Sequence, residues 1–297
     1  MTIWRSIEQN ISSATGKLFS NSERRPVGGG SISSAAILRD GERAYFVKTI
    51  RGARAEMFAA ECDGLREILE TETVFTPAPI CHGTAEGASY IVLSYLDLRN
   101  PTTKTHIRLG QQLAAMHRIF RSYFGWHRDN TIGSTPQLNL ACDDWITFYR
   151  DRRLAFQLEV AARNGYTGRI QKLGESILVR LKEFFPGYSP RASLLHGDLW
   201  SGNHAADGQG NPVIFDPAVY YGDRETDVAM TTLFGGYEEA CRFDIKTREN
   251  RQSSWDTQDI GVAATLRPNM WVVNRTSTRG FDGRTRQKTV AFWELLL

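Results

Sequence analysis

Apolar residues recur along the first third of the chain in two rhythms. The short runs "SSAAILRD" and "AYFVKTI" are separated by Asp40-Gly41, a dipeptide that favours a tight hairpin turn. "RRPVGGG" precedes them, so the order reads strand, glycine loop, strand, turn, strand. The rhythm then changes in "GARAEMFAAECDGLREILE", where Phe58, Leu65, Ile68 and Leu69 fall at helical spacing and predict a helix. "TVFTPAPICHG" is an extended, proline-marked stretch, and "SYIVLSYL" has the continuous apolar character of a buried strand. Residues 1–93 are therefore expected to form a small antiparallel β-rich lobe with one helix.

From Leu98 the period becomes helical. "THIRLGQQLAAMHRIF", "DDWITFYRDRRLAFQLEVAARNG" and "GRIQKLGESILVRLKEFF" all carry apolar residues three and four apart. The expected fold class is α+β: the small lobe, a joint at residues 94–97, and a large, mainly helical lobe over residues 98–297. Residues 238–297 stand apart, because Arg, Thr, Asn and Trp mix there without sustained periodicity. No internal repeat or low-complexity linker interrupts the pattern.

Composition narrows the class. With 297 residues, 41% hydrophobic and 23% charged, the chain is long enough for real cores and is not of disordered type. A net charge of +3 gives no whole-protein field for nucleic acid. The start "MTIWRSIEQNISSATG" lacks a signal pattern and no stretch is apolar enough to span a bilayer, so no membrane partner and a cytoplasmic location are expected. Cys62, Cys81, Cys142 and Cys241 are scattered without metal-type spacing, which fits reduced thiols.

The chemistry concentrates in "HGDLWSGN". Asp198 is followed five residues later by Asn203, and an apolar strand then ends in Asp216. That layout matches a phosphotransferase catalytic loop, in which the first aspartate orients or deprotonates a hydroxyl while the asparagine and later aspartate hold Mg²⁺ against nucleotide phosphates. A solvated hairpin is the alternative, and "DGQGNP" within the stretch is itself a turn. A second alternative is a transition-metal site made from His196, Asp198, His204 and Asp216. His196 reads as a structural group of the loop, His204 as a loop residue, and His117 as a satisfied core histidine.

Upstream, "GGGSIS" (Gly28, Gly29, Gly30, Ser31 and onward) lies between strands rather than before a helix, which suits a glycine hairpin over phosphates or a flexible turn. Lys48 sits in an apolar strand and could simply alternate outward. Glu61, three residues after Phe58 and four before Leu65, shares the apolar face of the next helix, and a buried carboxylate needs a cation. Lys48 and Glu61 are thus expected to pair and position the α- and β-phosphates, with Glu56 the competing partner on the polar side.

Taken together, "GGGSIS", "FVK", "MFAAECDGL", "FGWHRDNTIGSTPQ", "HGDLWSGN" and "IFDPAVYYGDRETDVAMTTLFGGY" resemble the fructosamine kinase (ketosamine-3-kinase) family, within the protein-kinase-like and aminoglycoside-phosphotransferase-like fold. The resemblance implies ATP- and Mg²⁺-dependent phosphorylation of the sugar 3-hydroxyl of fructosamines or ribulosamines, small or protein-bound, leading to deglycation. It implies Ser94, Tyr95 and Leu96 as the hinge that holds adenine, and Trp126, His127, Asp129, Asn130 and Thr131 as residues near the ketoamine. Asp223 and Asp227 are expected to cap the next helix or bond the catalytic loop. Ser31 stands where some relatives have cysteine, which removes a disulfide switch at that point. The likeness fades after Tyr237, where the chain has either drifted or been translated out of frame. The alternatives are a kinase of another hydroxylated substrate, of aminoglycoside or choline type, or an impaired nucleotide-binding protein.

Overall fold

The computed structural model describes residues 2–28 and 33–231, so Gly29, Gly30, Ser31 and the atypical tail lie outside the described residues. The chain opens with helix α1 (Ile3–Thr15), followed by strands β1 (Glu23–Val27), β2 (Ser34–Asp40) and β3 (Arg43–Arg51), helix α2 (Ala55–Glu70), and strands β4 (Pro79–Ala85) and β5 (Ala88–Ser94). These strands form an antiparallel sheet in the order β1-β2-β3-β5-β4. Alternation along each strand gives the sheet two apolar faces. Leu38, Val47, Tyr90 and Val92 pack on Ile7 and Ile11 of α1, whereas Ile91 and Leu93 pack on Phe58, Cys62 and Leu65 of α2. The hairpin and the α2 expectations hold, and α1 is an additional helix beside the sheet.

Helix α3 (Thr103–Met116) follows, then β6 (Phe120–Arg121), β7 (Asn130–Ile132) and β8 (Thr135–Gln137). The long helical run expected after Asp143 is three pieces: α4 (Trp145–Tyr149), a π-helical turn (Arg150–Ala155) and α5 (Phe156–Arg163). Asp144 starts it by accepting the Thr147 N–H at 2.7 Å. Next come α6 (Arg169–Arg180), a 3₁₀ turn (Leu181–Phe184), β9 (Ala192–Leu195), a second 3₁₀ turn (Ser201–Asn203), β10 (His204–Ala206), β11 (Pro212–Ile214), β12 (Tyr220–Gly222) and α7 (Glu225–Met230). Strands β6, β9 and β12 make one small sheet, β7 pairs with β8, and β10 pairs with β11.

Contacts group the chain into two compact units. One is Met1–Leu109 with Asn203–Pro217, and the other is Gly110–Gly202 with the chain from Ala218. The β10–β11 hairpin therefore packs in the N-terminal unit although it is late in sequence. Its bonds explain this: Arg99 and Ala206 exchange backbone hydrogen bonds, Ile214 N–H donates to Phe75 O, and Arg108 of α3 donates to Asn211 Oδ1 at 2.9 Å. No helix among the described residues is long and apolar enough to cross a membrane. Cys62, Cys81 and Cys142 are free thiols.

Candidate active site

In the N-terminal unit, Lys48 lies on the face of β3 that carries Phe46 and Ile50, which pack toward α2. Glu61 meets it from that helix. Lys48 Nζ donates to Glu61 Oε1 at 2.6 Å and to Asp216 Oδ1 at 2.5 Å. Glu56, the competing acid, is exposed. Burial alone would lower the Lys48 pKa, but Asp216 and Glu61 more than offset it and hold the ammonium's pKa above the ordinary 10.5. Burial, joined by the Asp216 charge, pushes the Glu61 carboxyl upward against the pull of Lys48. One cation serves two carboxylates, so the ionised trio keeps a net negative charge suited to a divalent cation.

Asp216 projects from a left-handed backbone at φ 58 and keeps its side chain 46% exposed. Asn203 is buried, and its carbonyl accepts the Phe215 N–H at 3.1 Å, which ties it to the residue next to Asp216. A carboxylate and a carboxamide are the hard-oxygen donors that Mg²⁺ takes while keeping waters and phosphate oxygens for its other positions. These two residues fit that ion. His204, expected in a loop, instead opens β10 and is buried against His106 of α3, with their Nε2 atoms 3.1 Å apart. Among the described residues no group of three or more His, Cys, Asp or Glu is placed to hold a metal ion.

Of the three residues expected at the hinge, Ser94, Tyr95 and Leu96, two commit their N–H groups within the unit. Ser94 N–H donates to Ala78 O at 2.8 Å and Tyr95 N–H to Ala44 O at 3.4 Å. Gly28 is exposed just beyond β1, at the start of the glycine stretch.

The C-terminal unit carries the aspartate loop. After β9 the chain turns at Gly197, whose φ of 77 favours glycine, and a Cβ there would lie 2.1 Å from Ala218 O. Asp227 of α7 clamps the turn by accepting the His196 N–H at 2.7 Å and the Gly197 N–H at 2.9 Å. His117 Nε2 lies 3.2 Å from the same carboxylate, so it is the satisfied core histidine its spacing suggests. Asp198 is 6% exposed, and its N–H donates to His196 Nδ1 at 3.2 Å, which makes His196 a structural member of the loop. Asp223 accepts from the Tyr188 hydroxyl at 2.9 Å and from the Glu225 N–H at 3.0 Å at the start of α7. Gly197→Ala should cost roughly 1–3 kcal/mol of strain and displace the loop. The expected result is a large fall in kcat with a lower urea midpoint; an unchanged kcat would show that the turn does not set the aspartate.

The segment around Trp126 also belongs to this unit. Trp126 is buried, and its N–H donates to Asn139 O at 2.8 Å. Asp129 Oδ1 accepts the Asn139 N–H at 2.7 Å. Asn130 is bound at both ends of its amide: Nδ2 donates to Val219 O at 2.7 Å, while Oδ1 accepts from Gln137 at 2.8 Å and Asn139 at 3.0 Å. Its amide, like the Asp129 carboxylate, is engaged in building the segment. Thr131 and His127 stand beside these anchors.

Comparison with known proteins agrees with this chemistry. The family model described as fructosamine kinase matches residues 3–243. A probable ketoamine kinase from Synechocystis sp. is 45% identical over 240 residues, covering 80% of each chain. A chloroplastic protein-ribulosamine 3-kinase from Arabidopsis thaliana is 39% identical over 214 residues, covering 70% of this chain and 65% of its own. Among solved structures, a candidate fructosamine-3-kinase from Haemophilus somnus superposes with a TM-score of 0.87 at 22% identity, covering 99% of this chain and 97% of that one. The streptomycin–ATP complex of the aminoglycoside phosphotransferase APH(2″)-IIa superposes with a TM-score of 0.65 at 11% identity, covering 99% and 97%.

Proposed function

The chain belongs to the fructosamine kinase family, and from that premise we propose that it transfers the γ-phosphoryl group of ATP to the sugar 3-hydroxyl of a ketoamine, a fructosamine or ribulosamine. The observation that carries this reading is the ion-pair trio, in which Lys48 lies between Glu61 and Asp216. Such a lysine holds nucleotide phosphates, and its carboxylate partners fix where its ammonium points.

Phosphoryl transfer asks a protein for position and charge more than for covalent chemistry. Asp198 accepts the proton of the attacking hydroxyl, so that the oxygen carries electron density as the bond to phosphorus forms and ADP departs. Asn203 and Asp216 would hold Mg²⁺, which would supply charge neutralisation at the phosphate oxygens. The family resemblance assigns the glycine stretch to the phosphates; Gly28 stands at its start, and Gly29, Gly30 and Ser31 lie outside the described residues. In the hinge, Ser94 and Tyr95 have committed their N–H groups, so Leu96 N–H is the donor to adenine. Trp126, His127 and Thr131 face the ketoamine from a segment that Asp129 and Asn130 hold in shape.

The test follows ADP release with fructosamine- and ribulosamine-bearing amines, with an aminoglycoside and choline as competing acceptors. Ketoamine-dependent turnover, with product phosphorylated at the 3-hydroxyl, is the expected result. Turnover with only the aminoglycoside or choline would replace the acceptor class, and ATP binding without turnover on any acceptor would leave a nucleotide-binding protein.

A further inference from the structure

Arg153 has no part in the roles above, yet its guanidinium end is buried, with no exposed surface at Nε. It stands in the π-helical turn between α4 and α5, a widened turn of the kind that recurs at functional sites. Its Nη1 donates to Leu138 O at 2.5 Å and its Nη2 to Asn139 Oδ1 at 2.8 Å. The rings of Phe148 and Tyr220 lie 4.7 Å and 4.2 Å from the guanidinium carbon. With Nη1 also donating to Arg152 O at 3.1 Å, a planar fork pinned by two rings and three oxygens has one orientation, which lysine could not reproduce.

From Arg153 the hydrogen bonds run on without a break. Asn139, held through its Oδ1, donates from Nδ2 to Asn130 Oδ1 at 3.0 Å and to Arg128 O at 3.1 Å. Asn130 in turn donates to Val219 O, and Gln137 donates to Ala218 O at 3.0 Å. Ala218 N–H donates to His196 O at 2.8 Å, two residues before Asp198. Gly125 closes the other end: its N–H donates to Tyr221 O at 2.8 Å, and at φ 111 a Cβ there would lie 2.4 Å from Asn139 O. Buried amides satisfied at both ends hold one arrangement, because any flip exchanges donors for acceptors.

We propose that Arg153 is a positioning residue for the acceptor substrate: through Asn139 and Asn130 it fixes the register of segment 126–139 against the Ala218–Val219 backbone, and through Ala218 against the Asp198 loop. The proposal rests on the reading that residues of this segment meet the ketoamine. Its kinetic signature is selective, since the Lys48, Glu61, Asn203 and Asp216 groups belong to the other unit.

The experiment compares steady-state kinetics of the full chain with Arg153→Lys, Arg153→Met and Asn139→Asp. Asn139→Asp keeps an acceptor for Arg153 but deletes the donor to Asn130, so it tests the link even if Arg153→Met fails to fold. Arg153→Lys and Asn139→Asp should each raise the ketoamine KM about ten-fold, with the ATP KM unchanged, and Arg153→Lys should retain more activity than Arg153→Met. Unchanged ketoamine KM in folded Arg153→Lys and Asn139→Asp, or an equal rise in both KM values, overturns the positioning role. His127→Ala and Thr131→Val judge the segment itself. If they raise the ketoamine KM while Arg153→Lys does not, only the positioning role falls; if none of the variants moves it, both readings fall.

Discussion

Asp198→Asn should bind nucleotide and fail to transfer phosphate. The substitution is nearly isosteric, and the contacts that shape the loop are made by the backbone: Asp198 N–H to His196 Nδ1, and His196 and Gly197 N–H to Asp227. The loop should therefore keep its form. What changes is that a carboxamide cannot take the proton of the attacking hydroxyl, and general-base assistance of this kind is worth about a hundred- to ten-thousand-fold. ADP release with a ketoamine should fall by roughly a thousand-fold, while calorimetric ATP affinity and the unfolding midpoint stay at the parent values. Turnover within a few-fold of the parent would remove Asp198 from the role of base. Lost ATP affinity would mean that the aspartate supports the nucleotide instead.

The same comparison of local rule and distant partner explains which parts could be read from the chain. Lys48 and Glu61 were legible because two periods act independently: alternation sends Lys48 to the face of Phe46 and Ile50, and helical spacing puts Glu61 beside Phe58 and Leu65. Their second carboxylate partner, Asp216, is 168 residues from Lys48, and no periodicity brings those two together. Helix α1 was missed although Ile3, Trp4, Ile7 and Ile11 recur three and four residues apart and pack on one core, because the stripe is short and polar residues fill the positions between. The π turn left no mark either, since Trp145 to Arg163 keeps an overall helical period. His204 read as a loop residue because its partner, His106, lies 98 residues away. The part Asn130 plays in holding its own segment is invisible in the sequence for the same reason: its acceptor on Val219 is 89 residues distant, and a side chain's hydrogen-bond partner is not encoded in its neighbours.

Replacing Lys48 by Met should damage stability and catalysis for separable reasons. The Lys48 and Glu61 side chains are only 10% and 13% exposed, so removing the cation leaves a buried carboxylate beside a second one. Breaking one side of a buried pair costs about 3–5 kcal/mol, and the half-exposed Asp216 adds little because solvent screens it. Protonation of Glu61, already favoured by its burial, softens the penalty at low pH. The pH sign follows from Lys48 itself. Its folded pKa is raised above the ordinary 10.5, so its contribution is complete below that pH and is lost as pH rises beyond it. Denaturant titrations should show the parent losing stability above that point, with Lys48→Met lacking this component of the fall. The double variant Lys48→Met/Glu61→Gln removes the stranded charge and should recover much of the stability at neutral pH. It should not recover turnover or ATP affinity, because the phosphate-holding ammonium is still absent. A double variant that regained both would reduce the pair to a structural ion pair and leave the phosphates to be held elsewhere.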